Sequence, residues 1–474
     1  MMLAVSALVA AVSGRYDEHF TVHGDVGVLL DDVTHDSRQV RPSAMFCCVV
    51  GDRFDGHDFA SEALRQGAAA LLVERVLPLE VTQIVVPNVR AAMGHFAAAV
   101  HGWPADDLTM VGITGTNGKT TTAHLIAALL RGDGVETEVL GTIQGPRTTP
   151  ESTDLQRQLA GFRAAGRSAV VMEVTSHALA LDRVAGAKFD VSVFTNLSRD
   201  HLDFHGTEEK YFAAKAKLFA PELSKRAVIN RDDVHGRLLI DSAAIECTSF
   251  GASDASDVVV TPRHHEFTWR GKRMSVPLGG RFNLMNSIAA ATTAETLGIE
   301  PESVARSLSV TPPIPGRYQV VDRTREPIVV VDYAHDAHSL ESLIASTREL
   351  IPSTARVILV FGCGGDRDRS KRPEMGRVAS DHADVVFVTS DNPRSESPAA
   401  IVAEIMGGVS VDHASRVTVE LDRREAIRSA IAAAGPSDVV IVAGKGHENT
   451  QTIGTTVVPF DDVEVSRELL GVGG

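Results

Sequence analysis

The chain has 474 residues, more than one hydrophobic core usually organises, so two to four domains are expected. Its 44% hydrophobic and 23% charged residues are ordinary for a globular protein, and no apolar run reaches the roughly eighteen residues of a membrane helix. A formal charge of −15 excludes a broad basic surface for nucleic acid or anionic membrane, so any phosphate ligand must be held by local devices. The cysteines Cys47, Cys48, Cys247 and Cys363 have no metal-ligand spacing and read as unpaired thiols of a reducing compartment, here the cytoplasm.

The apolar opening MMLAVSALVAAVSG has no basic n-region and turns acidic at Asp17 and Glu18, which predicts an amphipathic helix rather than a signal peptide. A first segment, residues 1–103, follows with strand-like runs at 44–51 and 83–88, a helix-like run at 58–74, and hydrophilic loops at 35–40 and 51–59. The second segment, residues 104–314, opens on the strand-like run LTMVGIT (108–114) and alternates strands and helices through 169–174 and 190–196. From 220 to 283 the pattern is less regular, after which 279–298 reads as a helix entered through glycines. A Pro-rich hinge, TPPIPGR (311–317), leads into a third segment, 315–474, with strands within 327–335, 356–362, 383–394 and 438–448. Strands alternating with helices imply an α/β fold with parallel sheets covered on both faces. Ligands of such sheets bind beyond the carboxyl ends of the strands. Here those ends carry TGTNGKTT, EVTSH, TNLSRDHLDFH, DYAH, GCGGDRDRSKR, SDNPR and GKGHE, too many polar clusters for chance loop starts.

The run GITGTNGKTTT (112–122) lies between a strand and a helix, the setting of a phosphate-binding loop. Glycines let backbone N–H groups approach phosphate, Lys119 supplies charge, Thr120 can ligate Mg2+, and the helix N-terminus adds its dipole. The strict phosphate-loop pattern would require Gly where Ile113 stands, so this is a variant. Glu173 closes an apolar strand, where a carboxylate could complete a magnesium shell facing Thr120. His201 is a second ligand candidate, with His205 as its rival. Lys215 shares the spacing i, i+4, i+7, i+8 with Tyr211, Leu218 and Phe219, so it projects from the apolar face of a helix while Lys217 points elsewhere. Desolvation lowers a lysine pKa, and a neutral amine can react with CO2 to give a carbamate. A snorkelling lysine on a partly buried helix is the alternative.

The variant loop resembles the one shared by Mur ligases, cyanophycin synthetases and folylpolyglutamate synthetases. With TTP (148–150), EVTSHALALDRV, TNLSRDHLDFHGTEEKYFAAKAKLF, GRFNLMN, VDYAH, GCGGDRDRSKRPEMG, DNPR and GKGHE in order, the whole chain resembles the Mur ligases, and among them the MurE type. The resemblance implies a domain for the uridine nucleotide, a central ATPase domain, and a C-terminal Rossmann-like domain for an incoming amino acid. It further implies that ATP phosphorylates the D-glutamate carboxylate of UDP-N-acetylmuramoyl-L-alanyl-D-glutamate and that meso-diaminopimelate attacks the acyl phosphate, in peptidoglycan precursor synthesis. Small-molecule substrates are expected, with neither nucleic acid nor membrane as partner.

Carried residue by residue, the resemblance makes Lys215 the carbamoylated lysine, and Thr120, Glu173 and His201 the magnesium-associated positions. ATP would meet Gly115, Thr116, Asn117, Gly118, Lys119, Thr120 and Thr121, with Asn283, Asn286, Arg317, Asp332 and His335 as further neighbours. Ser37, Asp52, Arg53 and Phe54 fall where the family holds the uridine nucleotide, and Thr148, Thr149, Thr175 and Arg183 where it holds the muramoyl dipeptide. Arg367, Asp391, Asn392, Pro393, Arg394, Gly444 and Glu448 fall at the diaminopimelate site. Three departures stand out. Asp336, Ala337 and His338 replace a Thr-Pro-Asp-like segment, Tyr318 and Gln319 replace an apolar residue and Glu, and Leu181 stands where some members carry Gln. The alternatives are a Mur-like ligase using another amino acid or acceptor, and a non-catalytic ATP-binding regulator. Intact Lys119, Glu173, His201 and Lys215 speak against the regulator.

Overall fold

The structure is a computed structural model that describes residues 2–471 apart from Asp52 and Pro146. Two compact units are present: Met1–Ala252 with Ile288–Val304, and Ser253–Ser287 with Ala305–Gly474.

The first unit holds two large sheets. One has the strand order Thr21–His23, Thr82–Val85, Ala70–Val73, Ala44–Cys47, Asp32–Thr34, parallel except for its first pair. The opening helix forms over Val5–Ser13, as expected, and buries Val5, Leu8 and Val12 in one core with Met93 and Phe96. The helix expected over 58–74 is a correction: Ala60–Arg65 is helical, but Ala70–Val73 is a central strand. Gly67, at φ +104°, ends the helix in a backbone conformation that L side chains avoid, and the apolar Ala-Leu-Leu-Val that follows is buried on both faces between two partner strands.

The other sheet has six strands, all parallel, in the order Glu246–Phe250, Ser224–Asn230, Phe189–Phe194, Thr109–Thr114, Ala169–Glu173, Thr137–Leu140. The stretch 220–283 is more regular than its sequence pattern indicates. It supplies the first two of these strands, and in the second unit a three-stranded antiparallel sheet of Ser256–Val260, His265–Trp269 and Lys272–Val276.

The second unit is built on a sheet ordered Gln319–Val320, Ile328–Asp332, Val439–Ala443, Val357–Phe361, Val385–Val388, Val417–Val419, parallel after its first pair. Alternate residues serve opposite faces. Val330, Leu359 and Ile441 enter one core, while Val329, Val331, Val360, Val440 and Val442 enter another, which is why these strands read as unbroken apolar runs. Among the described residues no helix is long and apolar enough to cross a membrane.

Two helix backbones show opposite uses of glycine. On Val89–Val100, a Cβ at Gly94 would stand 2.3 Å from the Ala185 carbonyl oxygen, and one at Gly186 would stand 2.5 Å from the oxygen of Gly94. On Ser152–Ala164, exposed Gly161 has open space around its missing Cβ. Gly94→Ala is therefore expected to destabilise the protein by about 1–3 kcal/mol through forced backbone separation. Gly161→Ala should stabilise it by about 0.5–1 kcal/mol through helix propensity. Thermal unfolding midpoints of the two variants should move in opposite directions; a shift of both the same way contradicts the close-approach argument.

Candidate active site

The phosphate loop leaves the middle of the six-stranded parallel sheet. Strand Thr109–Thr114 lies between Phe189–Phe194 and Ala169–Glu173, and helix Lys119–Gly132 starts five residues later, with Gly118 at φ +84° as its N-cap. Gly115 is required sterically, since a Cβ there would come 1.9 Å from Thr195 Oγ1. The loop is strapped to the neighbouring strand's exit. Thr116 N donates to Asn196 O at 2.9 Å, Asn117 N to Asn196 Oδ1 at 3.0 Å, and Thr195 Oγ1 to Asn117 O at 2.7 Å. Lys119 Nζ folds back to donate to the carbonyls of Gly115 (2.9 Å) and Thr116 (2.8 Å). The loop thus holds the shape an anion needs, with helix N–H groups and a cation turned to one side.

Thr120 is buried and donates from Oγ1 to Glu173 Oε2 at 2.9 Å. Glu173, 1% exposed at the carboxyl end of its strand, also accepts from Thr142 N at 2.9 Å and Thr142 Oγ1 at 3.2 Å. Gly141 has no side chain because a Cβ would meet Glu173 Oε1 at 2.2 Å. Thr149 Oγ1 donates to the Glu173 carbonyl and accepts from Thr175 N, while Thr148 Oγ1 lies 3.1 Å from Thr142 Oγ1. Thr175 caps helix Ser176–Ala180. A carboxylate and hydroxyls so placed form a hard oxygen set suited to Mg2+, which keeps part of its shell for water and phosphate. Among the described residues, no group of three or more His, Cys, Asp or Glu side chains is placed to hold a metal ion.

Lys215 lies on helix Glu208–Ala216, which ends in a 3-10 turn over Lys217–Phe219, earlier than the continuous spacing suggests. The face assignment holds nonetheless. Lys215 is 1% exposed, its Nζ donates to the Gly115 carbonyl at 2.8 Å and sits 4.6 Å above the Tyr211 ring, whereas the Lys217 side chain is about half exposed. Burial drives the Lys215 pKa far below the ordinary lysine value; the charge of Lys119 adds to this and Asp200 opposes it. Tyr211 OH is 3.0 Å from Thr116 Oγ1, which ties this helix to the loop.

His201 has φ +52°, is half exposed, and faces His177 with ring centroids 4.7 Å apart. Burial lowers its pKa, Asp200 opposes, and Lys119 and Lys215 lower it further. His205 is buried with Nε2 3.0 Å from Ser176 Oγ; Lys215 lowers its pKa too, while Lys119 acts only on His201.

Elsewhere in this unit, Ser37 opens a 3-10 turn capped by Asp36, and the neighbouring His35 Nδ1 lies 2.8 Å from Thr153 Oγ1. Arg53 and Phe54 are exposed, and Asp52 lies outside the described residues. Arg183 Nη2 pairs with Glu151 at 2.8 Å, and Glu151 also meets Arg147 at 2.5 Å and Arg90 at 3.4 Å. Burial pushes the Arg183 pKa down while Glu151 supports the charge. This hub of three guanidiniums on one buried carboxylate escaped the sequence reading. Its only signal was the acid directly after TTP, and nothing local ties that acid to Arg90, 61 residues away.

In the second unit, Asp332 ends its strand by accepting from Tyr318 N (2.7 Å) and Ala334 N (2.8 Å). Burial raises its pKa, opposed by Arg317. Arg317 lies 4.7 Å over the Tyr333 ring, and His335 Nδ1 is 3.0 Å from the Tyr333 carbonyl. Asn283 and Asn286 are buried and bonded to one another at 3.1 Å. Two of the departures keep local structure: Gln319 Oε1 accepts from Gly316 N at 2.9 Å, and Asp336 caps helix Ala337–Arg348 by accepting from Ser339 N at 2.9 Å.

Along the same carboxyl edge of this sheet, Asn392 Nδ2 donates to Glu448 Oε2 (2.7 Å) and Asp391 Oδ1 (3.1 Å), and Gly444, at φ +110°, leaves room for Asp391. Arg394, partly buried at φ +51°, donates from Nη1 to Gly365 O at 2.7 Å, and the Pro393 carbonyl packs against Gly365, where a Cβ would come within 1.9 Å of it. Arg367 is exposed. Buried Lys445, whose Nζ donates to Thr450 O at 2.5 Å, and the fully buried Arg423–Asp462 pair underlie this cluster and were not anticipated.

The sequence matches the Mur ligase family catalytic domain over residues 30–101, the Mur ligase middle domain over 113–294, and the Mur ligase glutamate ligase domain over 316–446. It is 42% identical over 467 residues to the UDP-N-acetylmuramoyl-L-alanyl-D-glutamate--2,6-diaminopimelate ligase of Streptomyces coelicolor, covering 92% of each chain. It is 44% identical over 460 residues to the protein of the same name from Gloeobacter violaceus, again covering 92% of each. A solved structure of such a ligase covers 99% of both chains at 32% identity, with a TM-score of 0.71. The MurF ligase of Thermotoga maritima, solved with ADP, shares the fold at 22% identity and a TM-score of 0.62, covering 93% of this chain and 96% of its own. With all three family domains matched in order, the chain belongs to the Mur ligase family.

Proposed function

We propose that the protein is an ATP-dependent ligase that joins meso-diaminopimelate to the D-glutamate of UDP-N-acetylmuramoyl-L-alanyl-D-glutamate in peptidoglycan precursor synthesis, acting in the cytoplasm. One geometric observation carries the reaction class: the side-chain nitrogens of Lys119 and Lys215 meet on the Gly115 carbonyl, beside the buried Thr120–Glu173 pair. The choice of substrates rests on relatives of that name over more than nine tenths of the chain. In this reading residues 1–103 take the uridine nucleotide, 104–314 the ATP, and 315–474 the amino acid.

An amide does not form from a carboxylate and an amine in water unless the carboxyl oxygen is made a leaving group. The loop N–H groups and Lys119 hold the ATP phosphates and neutralise the charge that develops as the γ-phosphoryl passes to the D-glutamate carboxylate. The diamino acid's amine then attacks the acyl phosphate, phosphate departs with the C–O bond, and the amine loses a proton. Thr120 and Glu173, with His201, would hold Mg2+, which when bound would neutralise charge on the phosphates. The Lys215 amine, driven toward its neutral form by burial, can add to CO2 with loss of one N–H proton, giving a carbamate whose negative charge would offset that of Lys119. Arg183 with Thr148, Thr149 and Thr175 receives the muramoyl dipeptide, Ser37 with the loop 52–54 receives the nucleotide, and Arg394 receives the distal carboxylate of the diamino acid.

Lys119→Ala should lower ADP formation by about 100-fold or more, the loss of one preorganised electrostatic stabiliser, with an unchanged circular dichroism spectrum. Turnover above a tenth of wild type would contradict the loop assignment.

Lys215→Ala should be nearly inactive and partly restored by a short carboxylic acid able to occupy the vacated position, while Lys217→Ala should be mild. Mass spectrometry of wild type under 13CO2, trapped by alkylation, should place one labelled carboxyl on Lys215; equal effects of the two substitutions or label elsewhere would sink the carbamate.

L-Lysine lacks one carboxylate of meso-diaminopimelate and would leave the Arg394 guanidinium with the Gly365 carbonyl as its partner. Such a loss is about 3 kcal/mol, or roughly 100-fold in kcat/KM. Wild type should show that preference, and Arg394→Ala should lose most activity with meso-diaminopimelate while gaining little with lysine; comparable wild-type kcat/KM for both amino acids refutes the specificity.

A further inference from the structure

The loops after two adjacent parallel strands, residues 362–370 and 389–397, carry Arg367 and Arg394, and they are fastened together by a cation that the proposed chemistry does not use. Arg372, at the start of helix Lys371–His382, has a fully buried side chain. Its Nη1 donates to Glu396 Oε2 at 2.9 Å and Glu404 Oε2 at 2.7 Å, and its Nη2 to Glu396 Oε1 at 2.8 Å and the Gly364 carbonyl at 3.1 Å. Glu396 closes the circuit by accepting from Asp366 N at 2.6 Å, while the Asp366 carboxylate accepts from Ser395 N (3.2 Å) and Ser395 Oγ (2.6 Å). Apart from the bond to Gly364, which ties the helix to its own loop, every bond joins one loop, or the helix that follows it, to the other. Arg394 sits inside this circuit, its guanidinium on Gly365 O and its backbone bridged to the hairpin Thr450–Ile453/Thr456–Pro459 through Thr452 O (3.0 Å) and Gly454 N (2.7 Å).

We propose that Arg372 is a positioning residue for amino-acid selectivity: by gripping Glu396 with both ends of its fork it fixes the second loop against the first and so sets where the Arg394 guanidinium stands. The inference rests on the reading of Arg394 as the receiver of the distal carboxylate. A fork is needed because two parallel bonds fix an orientation and one ammonium does not, so lysine at 372 keeps the charge and loses the register. Hydrogen bonds to Glu396 and Glu404 keep the guanidinium charged against the cost of burial, and its grip holds the Glu396 carboxyl well below the usual range, so the clamp is closed at neutral pH. Supporting groups of this kind set a binding group's placement to a fraction of an ångström.

The test uses the full-length protein with Arg372→Lys, Arg372→Met and Glu396→Gln, each alone and in an Arg394→Ala background. KM and kcat are measured for meso-diaminopimelate, L-lysine, ATP and the UDP-dipeptide. The expected result is about a tenfold rise in KM for meso-diaminopimelate and a similar fall in its preference over lysine, equivalent to ~1.4 kcal/mol. KM for ATP and the UDP-dipeptide should stay within about twofold, and no further loss of preference should follow when Arg394 is already alanine. A lower melting temperature or kcat with the preference unchanged, or losses that add to those of Arg394→Ala, overturns the proposal. If the Arg372 variants do not fold, Glu396→Gln decides by the same criteria. Should wild type fail to discriminate between the amino acids, the functional reading fails by itself, and the clamp is judged on KM for the amino acid that is used: a tenfold rise with KM for ATP unmoved upholds it, and no rise overturns it.

Discussion

The Gly115 carbonyl oxygen accepts from two lysine side chains, Lys119 at 2.9 Å and Lys215 at 2.8 Å. Two charged amines that close would repel, and the fold is arranged so that neither can retreat. Lys119 is the first residue of its helix, Lys215 is held under the Tyr211 ring, and Gly115 is pinned against Thr195. The local chemistry follows from this constraint. Lys215 is driven toward its neutral form by burial first and by its neighbour's charge second, and the loop gains its full electrostatic value only when phosphate arrives.

Parallel strand order supplies the geometry. The strands ending at Thr114, Glu173 and Phe194 are adjacent and in register, so the phosphate loop, the Glu173 carboxylate and the segment leading to His201 leave one edge of one sheet. In the second unit Asp332, Phe361, Val388 and Ala443 end neighbouring strands in the same way, which gathers the DYAH, GCGGDRD, DNPR and GKGHE segments along one edge. The apolar runs between these segments are buried on both faces, so their side chains pack cores and leave chemistry to the loops.

Much of this was legible in the sequence because it is local. A phosphate loop declares itself by glycines and a lysine between a strand and a helix, and Lys215 by its spacing from Tyr211. Residues 58–74 misled because their alanines and leucines suit a helix as well as a buried strand; the break at Gly67 decided, and its positive φ is a structural fact. Residues 220–283 looked irregular because the strand at Ser256–Val260 is exposed and its apolar run, Val258–Val260, is shorter than those of the buried parallel strands. The charged assemblies were out of reach for a different reason. Glu151 gathers Arg90 and Arg183, and Arg372 gathers Glu396 and Glu404, across chain separations that no window spans. The replacements at Gln319 and Asp336 looked disruptive but preserve an acceptor for Gly316 N and an N-cap for the next helix.

The contact of Gly94 with Ala185 and Gly186 has a metric consequence. Arg90 lies one helical turn from Gly94, Arg183 lies two residues before Ala185, and both guanidiniums reach Glu151. Main chain meets main chain at these glycines, so the helix that carries Arg90 and the turn that carries Arg183 are spaced by peptide geometry, which does not compress, rather than by side chains, which can repack. Changes in the surrounding apolar residues bear little on that spacing, whereas a side chain at either glycine would force the two backbones apart.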